Sequence, residues 1–330
     1  MKRKKVSHAI SLVAASVSFH PSSRKVENWV RERILLPHIQ KCFHHICRDG
    51  SVSDLETGAR QYSDVKTLAA ILEYHRESTP AGELYQWVLS REERLRGEDD
   101  PETLSTVYSM ADVFSQQGKY DEALEWHRRA LAGREKSLGK DHPDTLSAVN
   151  SMATVFADQG KYDEGLEWHR RALAGREKSL GKDHPDTLST VDSMATVFAN
   201  QGKYDEALEW HRRALAGREK SLGKDHPNTL STVHSMATVF ANQGKYEEAL
   251  EWHRRALAGR EKSLGTDHPH TLSTVQGIAT VLARQGKYDK ALELCRHVLA
   301  GREKSLGRDH PNTLATSRKI TKILRKQNLE

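Results

Sequence analysis

The sequence predicts an all-α chain, a solenoid of tandem helical hairpins. Three observations carry this. From Gly118 onward the chain repeats itself every 42 residues, with Gly118, Gly160, Gly202, Gly244 and Gly286 heading successive copies. Each copy holds two stretches whose apolar residues recur at helical spacing, set off by glycine-bearing turns. The copies are also near-identical: those starting at Gly160 and Gly202 differ at three places, Gly165/Ala207, Asp186/Asn228 and Asp192/His234. Such an array buries the apolar face of each unit against its neighbours.

Within one copy, Asp183 to Asp186 (DHPD) opens the first helix. Proline suits the first turn, and acidic residues suit its positive end. Leu188, Val191, Met194, Ala195 and Phe198 then line one face, and Gln201-Gly202 ends the helix. The second helix runs from about Asp205 to Leu222. Ala207, Leu208, Trp210, Ala214, Leu215 and Leu222 cover over half its circumference, which predicts packing on two sides with Trp210 buried. Gly217 recurs as Gly133, Gly175, Gly259 and Gly301, although mid-helix glycine costs about 1 kcal/mol. Its recurrence predicts close backbone approach between helices. Gly223 and the Lys-Asp-His that follows form the loop to the next hairpin.

Composition fits stacked helices with wide solvated faces: 29% charged, 37% hydrophobic and 6% aromatic in 330 residues. The net charge of +6 is spread thinly, since the copy from Gly202 to Gln243 has six Lys/Arg against five Asp/Glu. Without a dense basic stripe carrying aromatics, the expectation is no nucleic-acid partner. Three cysteines, Cys42, Cys47 and Cys295, make no disulfide framework and fit a reducing, cytoplasmic setting. No apolar run reaches the ~18 residues of a membrane span. Met1 to Lys5 before the apolar Ala9–Phe19 has the outline of a signal peptide, or of a first amphipathic element.

Two helices per unit, with Ala195, Ala207 and Ala214 beside Gly202 and Tyr204, resemble the tetratricopeptide repeat. The 42-residue length and the LG-x-D-x-P loop resemble kinesin light chains. Closer still are the arrays of fungal NB-ARC/NACHT immune-receptor-like proteins, with similar HRRALAGREK…LG…HP-x-TL units. The resemblance implies a right-handed α-solenoid of helix–turn–helix repeats that binds a protein or peptide in its concave groove, without catalysis. It implies a sensor or scaffold array; a kinesin-light-chain-like cargo adaptor is the alternative, and nucleic-acid binding the alternative of another class.

The expected organisation is a helical region over 1–61, a degenerate first repeat over 62–100, the tandem array over 101–311 and a capping helix over 312–330. Val26–Ile46 resembles the connector that precedes such arrays. Leu68-Ala69 and Leu72 fall in register with Met110-Ala111 and Phe114, and Gly97 and Pro101 with Gly139 and Pro143. In the cap, Ile320 and Leu324 are apolar among Arg318, Lys319, Lys322, Arg325 and Lys326. The chain departs from these families too. It has no phosphate-loop motif and no sustained heptads over 1–60. Asp192-Ser193, and Ser109, Ser151 and Ser235 in matching places, replace the Asn-Asn pair common to both kinds.

Chemistry-bearing patterns are few, and neither cofactor nor metal is expected. Gly133–Lys140 (GREKSLGK) fails as a phosphate loop, with five residues between its glycines where four are needed and Asp141 in place of Ser/Thr. His127, His169, His211 and His253 recur once per unit. Metal ligands converge within ~2 Å of one point, whereas stacked helices stand ~8–10 Å apart, so a structural role is expected. His142, His184, His226, His268 and His310 fall in loops as turn or capping residues. Cys42, His44, His45 and Cys47, near His38, lack CxxC spacing and read as a helix face.

The informative positions are those that vary among near-copies. One column in the first helix reads Tyr108, Asn150, Asp192, His234, Gln276; eight residues on, a second reads Gln116, Asp158, Asn200, Asn242, Arg284. Asp112, Thr154, Thr196, Thr238 or Thr280 lies between them. Eight residues is just over two turns, so all share a stripe. In the resembling fold that stripe faces the groove, so both columns are the candidate ligand contacts. The alternative is drift at exposed positions, against which Arg212, Arg213, Glu219 and Lys220 hardly vary.

Overall fold

The computed structural model describes Ser11, residues 26–44 and residues 59–328, with side chains placed from Leu35 in the first helix and from Tyr62 in the second. The possible signal segment lies outside the described residues apart from Ser11, as do His45 and Cys47. The chain divides into two compact units, Met1–Gly181 and Lys182–Glu330.

Fourteen helices are described. The first unit holds α1 (Val26–Phe43), α2 (Ala59–Tyr74), α3 (Ser78–Arg96), α4 (Pro101–Gln116), α5 (Tyr120–Leu138), α6 (Pro143–Asp158) and α7 (Tyr162–Ser179). The second holds α8 (Pro185–Asn200), α9 (Tyr204–Leu222), α10 (Pro227–Asn242), α11 (Tyr246–Leu264), α12 (Pro269–Arg284), α13 (Tyr288–Leu306) and α14 (Pro311–Gln327). From α2 to α13 they pair as helix–turn–helix hairpins, within each unit consecutive hairpins stack, and α14 packs singly on α13. All described secondary structure is helical, as the 42-residue period predicts.

The punctuation follows local chemistry. His184 caps α8, its Nδ1 accepting from the Asp186 N–H at 3.2 Å while Pro185 takes the first helical position. His142, His226, His268 and His310 repeat this, and Asp100 does so for α4. The loop histidines are therefore helix caps. Gly202 (φ 78°) turns the chain between α8 and α9, and Gly223 (φ 91°) ends α9 in a conformation that L side chains avoid.

The recurrent mid-helix glycine has a different cause from the one its position suggests. A Cβ on Gly217 would stand 2.6 Å from Leu188 Cδ2, so the glycine is a hole for a leucine side chain of the partner helix. Gly133 and Leu104, Gly175 and Leu146, Gly259 and Leu230, and Gly301 and Leu272 repeat the fit. Trp210 is not fully buried. It stays half-exposed and stacks on Phe198 at 6.3 Å, with the Arg213 guanidinium over its ring.

Two further expectations resolve at the ends. Ile39 and Cys42 of α1 enter a core with Leu68, Leu72 and Leu84, while His38 and His44 are exposed, so the thiol and these imidazoles point apart. In α14 Ile323 is buried, whereas Leu324 is exposed. Leu314, the counterpart of the buried Leu272, is exposed as well. Ser317, Thr321 and Arg325 stand where α12 has Val275, Ala279 and Ala283, which makes this face of α14 polar.

Candidate functional site

The first column lies half-buried, its side chains turned toward the second helix of the same hairpin. Opposite each, 19 residues on, stands the recurrent histidine: Asn150 Oδ1 meets His169 Nδ1 at 3.1 Å, and Asp192 Oδ1 meets His211 Nδ1 at 2.8 Å. Tyr108 lies edge-on to His127 at 5.4 Å, and His234 packs at a tilt against His253 at 5.0 Å. Nineteen residues beyond Gln276, Cys295 replaces the histidine. His127, His169, His211 and His253 are buried. Desolvation pushes the His127, His169 and His253 rings down to about 4 and His234 to about 3, each helped by a nearby arginine.

A column that the sequence comparison passed over completes the arrangement. Arg134, Arg176, Arg218, Arg260 and Arg302, 26 residues beyond the variable positions, are buried. Arg218 Nη1 donates to Asp192 Oδ2 at 3.0 Å, and Arg302 Nη1 to Gln276 Oε1; Arg134 sits over the Tyr108 ring at 4.8 Å. The same guanidinium also reaches the next helix. Arg260 donates to the His270 carbonyl at 2.9 Å and to Thr274 Oγ1 at 2.7 Å, and Arg218 and Arg302 repeat this. At Tyr108, Asp192 and Gln276 the variable residue therefore tops an arginine that also bonds the next helix.

The first hairpin inverts the polarity. Lys66 occupies the variable column and Glu92 the arginine column, with Nζ 3.5 Å from Oε1, while Glu92 Oε2 accepts from Thr106 Oγ1 at 2.6 Å. An open cavity of ≈ 480 Å³ lies here, lined by Lys66, Tyr85, Glu92, Arg96, Glu102 and Ser109 among others. The available signal was the exchange of Arg for Glu one period before Arg134.

The second column is the solvent-facing one. Asp158, Asn200, Asn242 and Arg284 are exposed, as are Thr154, Thr196 and Thr238, whereas Gln116 is half-buried and donates to Glu73 Oε1 at 3.3 Å. Arg284 Nη1 reaches back to the Ala241 carbonyl at 2.9 Å and Asn242 Oδ1 at 3.0 Å.

The residues chosen as invariant exposed references have their own reason to stay fixed. Glu219 takes Arg255, Lys220 takes Asp183 at 2.7 Å, and Arg213 covers Trp210. Arg212 alone of the four is exposed without such a contact, so it is the better reference. The GREKSLGK string is helical to Leu138 and offers no loop of free N–H groups. Among the described residues no group of three or more His, Cys, Asp or Glu could hold a metal ion, and no helix is long and apolar enough to cross a membrane.

The tetratricopeptide-repeat profile matches in overlapping copies over 65–136, 102–160, 144–220, 188–262, 229–279 and 271–329. No curated protein matches the chain. Among solved structures, a kinesin-light-chain-like protein of Podosopora anserina with nearly identical TPR-like repeats is 27% identical, with TM-score 0.52, covering 62% of this chain and 97% of that one. BtubC of P. vanneervenii is 19% identical, with TM-score 0.52, covering 76% and 94%. NprR in complex with its cognate peptide NprX is 13% identical, with TM-score 0.57, covering 91% and 82%. The last two likenesses are of fold.

Proposed function

The chain belongs to the tetratricopeptide-repeat family, and from that premise we propose that it is a protein-interaction scaffold without catalytic activity. It binds a peptide-like segment along the stripe that the first helices of successive hairpins present within a unit. Asn200, Asn242, Arg284 and Asp158 are the exposed contacts, and Gln116 continues their column at its half-buried end. Tyr108, Asn150, Asp192, His234 and Gln276 form the floor. The observation that carries the reading is the pairing of these columns: a half-buried polar floor that differs from copy to copy, beside an exposed row in which the amides of Asn200 and Asn242 and the threonine hydroxyls stand with the charged Asp158 and Arg284. Such groups hydrogen-bond an extended main chain without demanding one sequence, and the floor supplies the differences. NprR, a fold relative, carries a cognate peptide.

The finer assignment is a sensor or scaffold array of a fungal receptor-like protein, cytoplasmic, with 1–61 preceding a degenerate repeat at 62–100, the array at 101–311 and a cap at 312–330. The polar outer face of α14 supports the cap, and the buried thiols of Cys42 and Cys295 support the compartment. A kinesin-light-chain-like adaptor is the second reading, favoured by the Podosopora anserina likeness; a coiled-coil partner copurifying with the chain selects it.

The test is affinity capture with the intact chain, followed by titration of the captured partner. Replacing Asn200, Asn242 and Arg284 together by alanine lowers affinity at least about tenfold, the scale of 1.4 kcal/mol, while Arg212→Ala leaves it unchanged. Equal losses from both would remove the groove reading. Steep salt dependence on added RNA or DNA would replace it with nucleic-acid binding.

A further inference from the structure

Two acidic residues of the first unit depart from the repeat at columns that are neutral in the later copies. Asp112 stands where Thr154, Thr196, Thr238 and Thr280 recur, and Glu73 where Ser115, Ala157, Ala199, Ala241 and Ala283 recur. The fold sets Glu73 of α2 against the last turns of α4, where it meets Gln116, the residue one turn on from Asp112. The Tyr85 hydroxyl donates to Glu73 Oε2 at 3.0 Å and Gln116 Nε2 to Oε1 at 3.3 Å, which fixes that carboxylate. The Asp112 side chain keeps 33% of its surface exposed.

The pair lacks a cation. Among the described residues no Lys or Arg comes within ion-pair distance of either carboxylate. Arg76 and Arg134 act on them only through their fields, and Arg134 is engaged with the Asp144 carbonyl at 2.9 Å. Behind Asp112 lies His127, 0% exposed, with neither ring nitrogen hydrogen-bonded and its Nε2 3.6 Å from Asp112 Oδ1. An orphaned buried imidazole facing a carboxylate marks a polar site still short of a partner. Desolvation, then the Glu73 charge, pushes the Asp112 carboxyl up to about 8, and desolvation also raises Glu73. Tyr85 and Tyr108, the other titratable groups at the site, are raised by burial and stay protonated.

We propose that Glu73 and Asp112 form a docking site for one arginine side chain of the peptide-like partner, an assignment that rests on the groove reading above. A guanidinium offers a planar fork of donors suited to two carboxylates, and its charge relieves their repulsion. Asp112 gives up its proton on binding, so affinity rises with pH.

The test uses the full chain and a fluorescent pentapeptide with a central arginine, beside its twin carrying citrulline, the neutral isostere. The arginine probe binds at least about tenfold tighter, and this preference grows between about pH 6 and pH 9 as Asp112 ionises. Asp112→Thr and Glu73→Ala, residues native to those columns elsewhere in the array, cut the preference below about twofold. Equal binding of both probes, binding of neither up to millimolar concentration, or a preference that survives both substitutions overturns the proposal. Asn150→Ala separates the two readings. If it weakens both probes alike while no preference exists, the groove stands and the arginine site falls; if it changes nothing while the preference persists, the groove falls and the site stands.

Discussion

Arg218 donates from Nη1 to Asp192 Oδ2 at 3.0 Å, so the residue the array keeps fixed is held by the residue it varies. The guanidinium is buried, and its other bonds run to the Asn228 carbonyl and Thr232 of the next helix. Burial alone would raise the Asp192 carboxyl, but the His211 hydrogen bond and the Arg218 charge outweigh it and hold it below the usual carboxylate range. Asp192→Ala leaves that charge without its carboxylate partner and costs about 1.5–3 kcal/mol, the scale of a hydrogen bond to a charged group. Asp192→Asn, the residue already present as Asn150, costs less than about 1 kcal/mol because it keeps an acceptor. Urea unfolding of the two variants decides it. Equal costs would mean that the contact contributes no stability.

The glycine–leucine fit predicts opposite signs for two glycine-to-alanine changes. Gly217→Ala gains about 1 kcal/mol of helix propensity but drives a methyl to 2.6 Å from Leu188 Cδ2, an overpacking that costs about 1–3 kcal/mol. The net effect is destabilising, and Leu188→Ala in the same chain relieves it, which a double-mutant cycle reads as favourable coupling. At Gly165 the added methyl meets Ala153 O at 3.0 Å, a gap that neighbours can widen, since Ala207 fits the same column fully buried. Gly165→Ala is therefore stabilising by roughly 0.5–1 kcal/mol, and slower hydrogen exchange in α7 reports it.

Periodicity carried the fold because a 42-residue repeat lets every local signal be read several times. The proline after each loop histidine and the glycine after each helix place helix ends to within a residue or two. What escaped the sequence are pairings that depend on which face a residue takes. Gly217 announces close packing, but only coordinates show that Leu188 fills it. The variable column was legible as a column, whereas its attachment to Arg218 was hidden, because an unchanging residue gives no contrast to compare. Asp112 was visible as a departure from Thr154 and its equivalents; that α2 sets Glu73 against α4 was not.

The buried histidines set an acid limit. His127, His169 and His253, held near 4, and His234, near 3, remain neutral in the fold at a pH where an unfolded histidine takes up a proton. The unfolded chain thus binds more protons below about pH 6.5, and stability is full above that point and lost as pH falls toward 4. His234→Asn, which matches Asn150, removes one such group. Its unfolding free energy falls less steeply between pH 6.5 and 4 than that of the parent chain. A parallel slope would show that His234 is already protonated in the fold.

Asp112 works in the opposite sense. Its carboxyl, pushed up to about 8 by burial and by Glu73, keeps its proton in the fold where an unfolded aspartate has lost it. The folded chain therefore binds more protons between about pH 4 and pH 8, so this group's stabilising effect is full below 3.8 and declines as pH rises through that window. Asp112→Thr installs the residue of the equivalent Thr154 and removes both the proton linkage and the repulsion with Glu73. Its thermal midpoint exceeds the parent's at pH 8 by more than at pH 5, and calorimetry at the two pH values measures the difference. A constant offset would mean that Asp112 is ionised throughout, and with it would go the reason for Glu73 and Asp112 to await a cation.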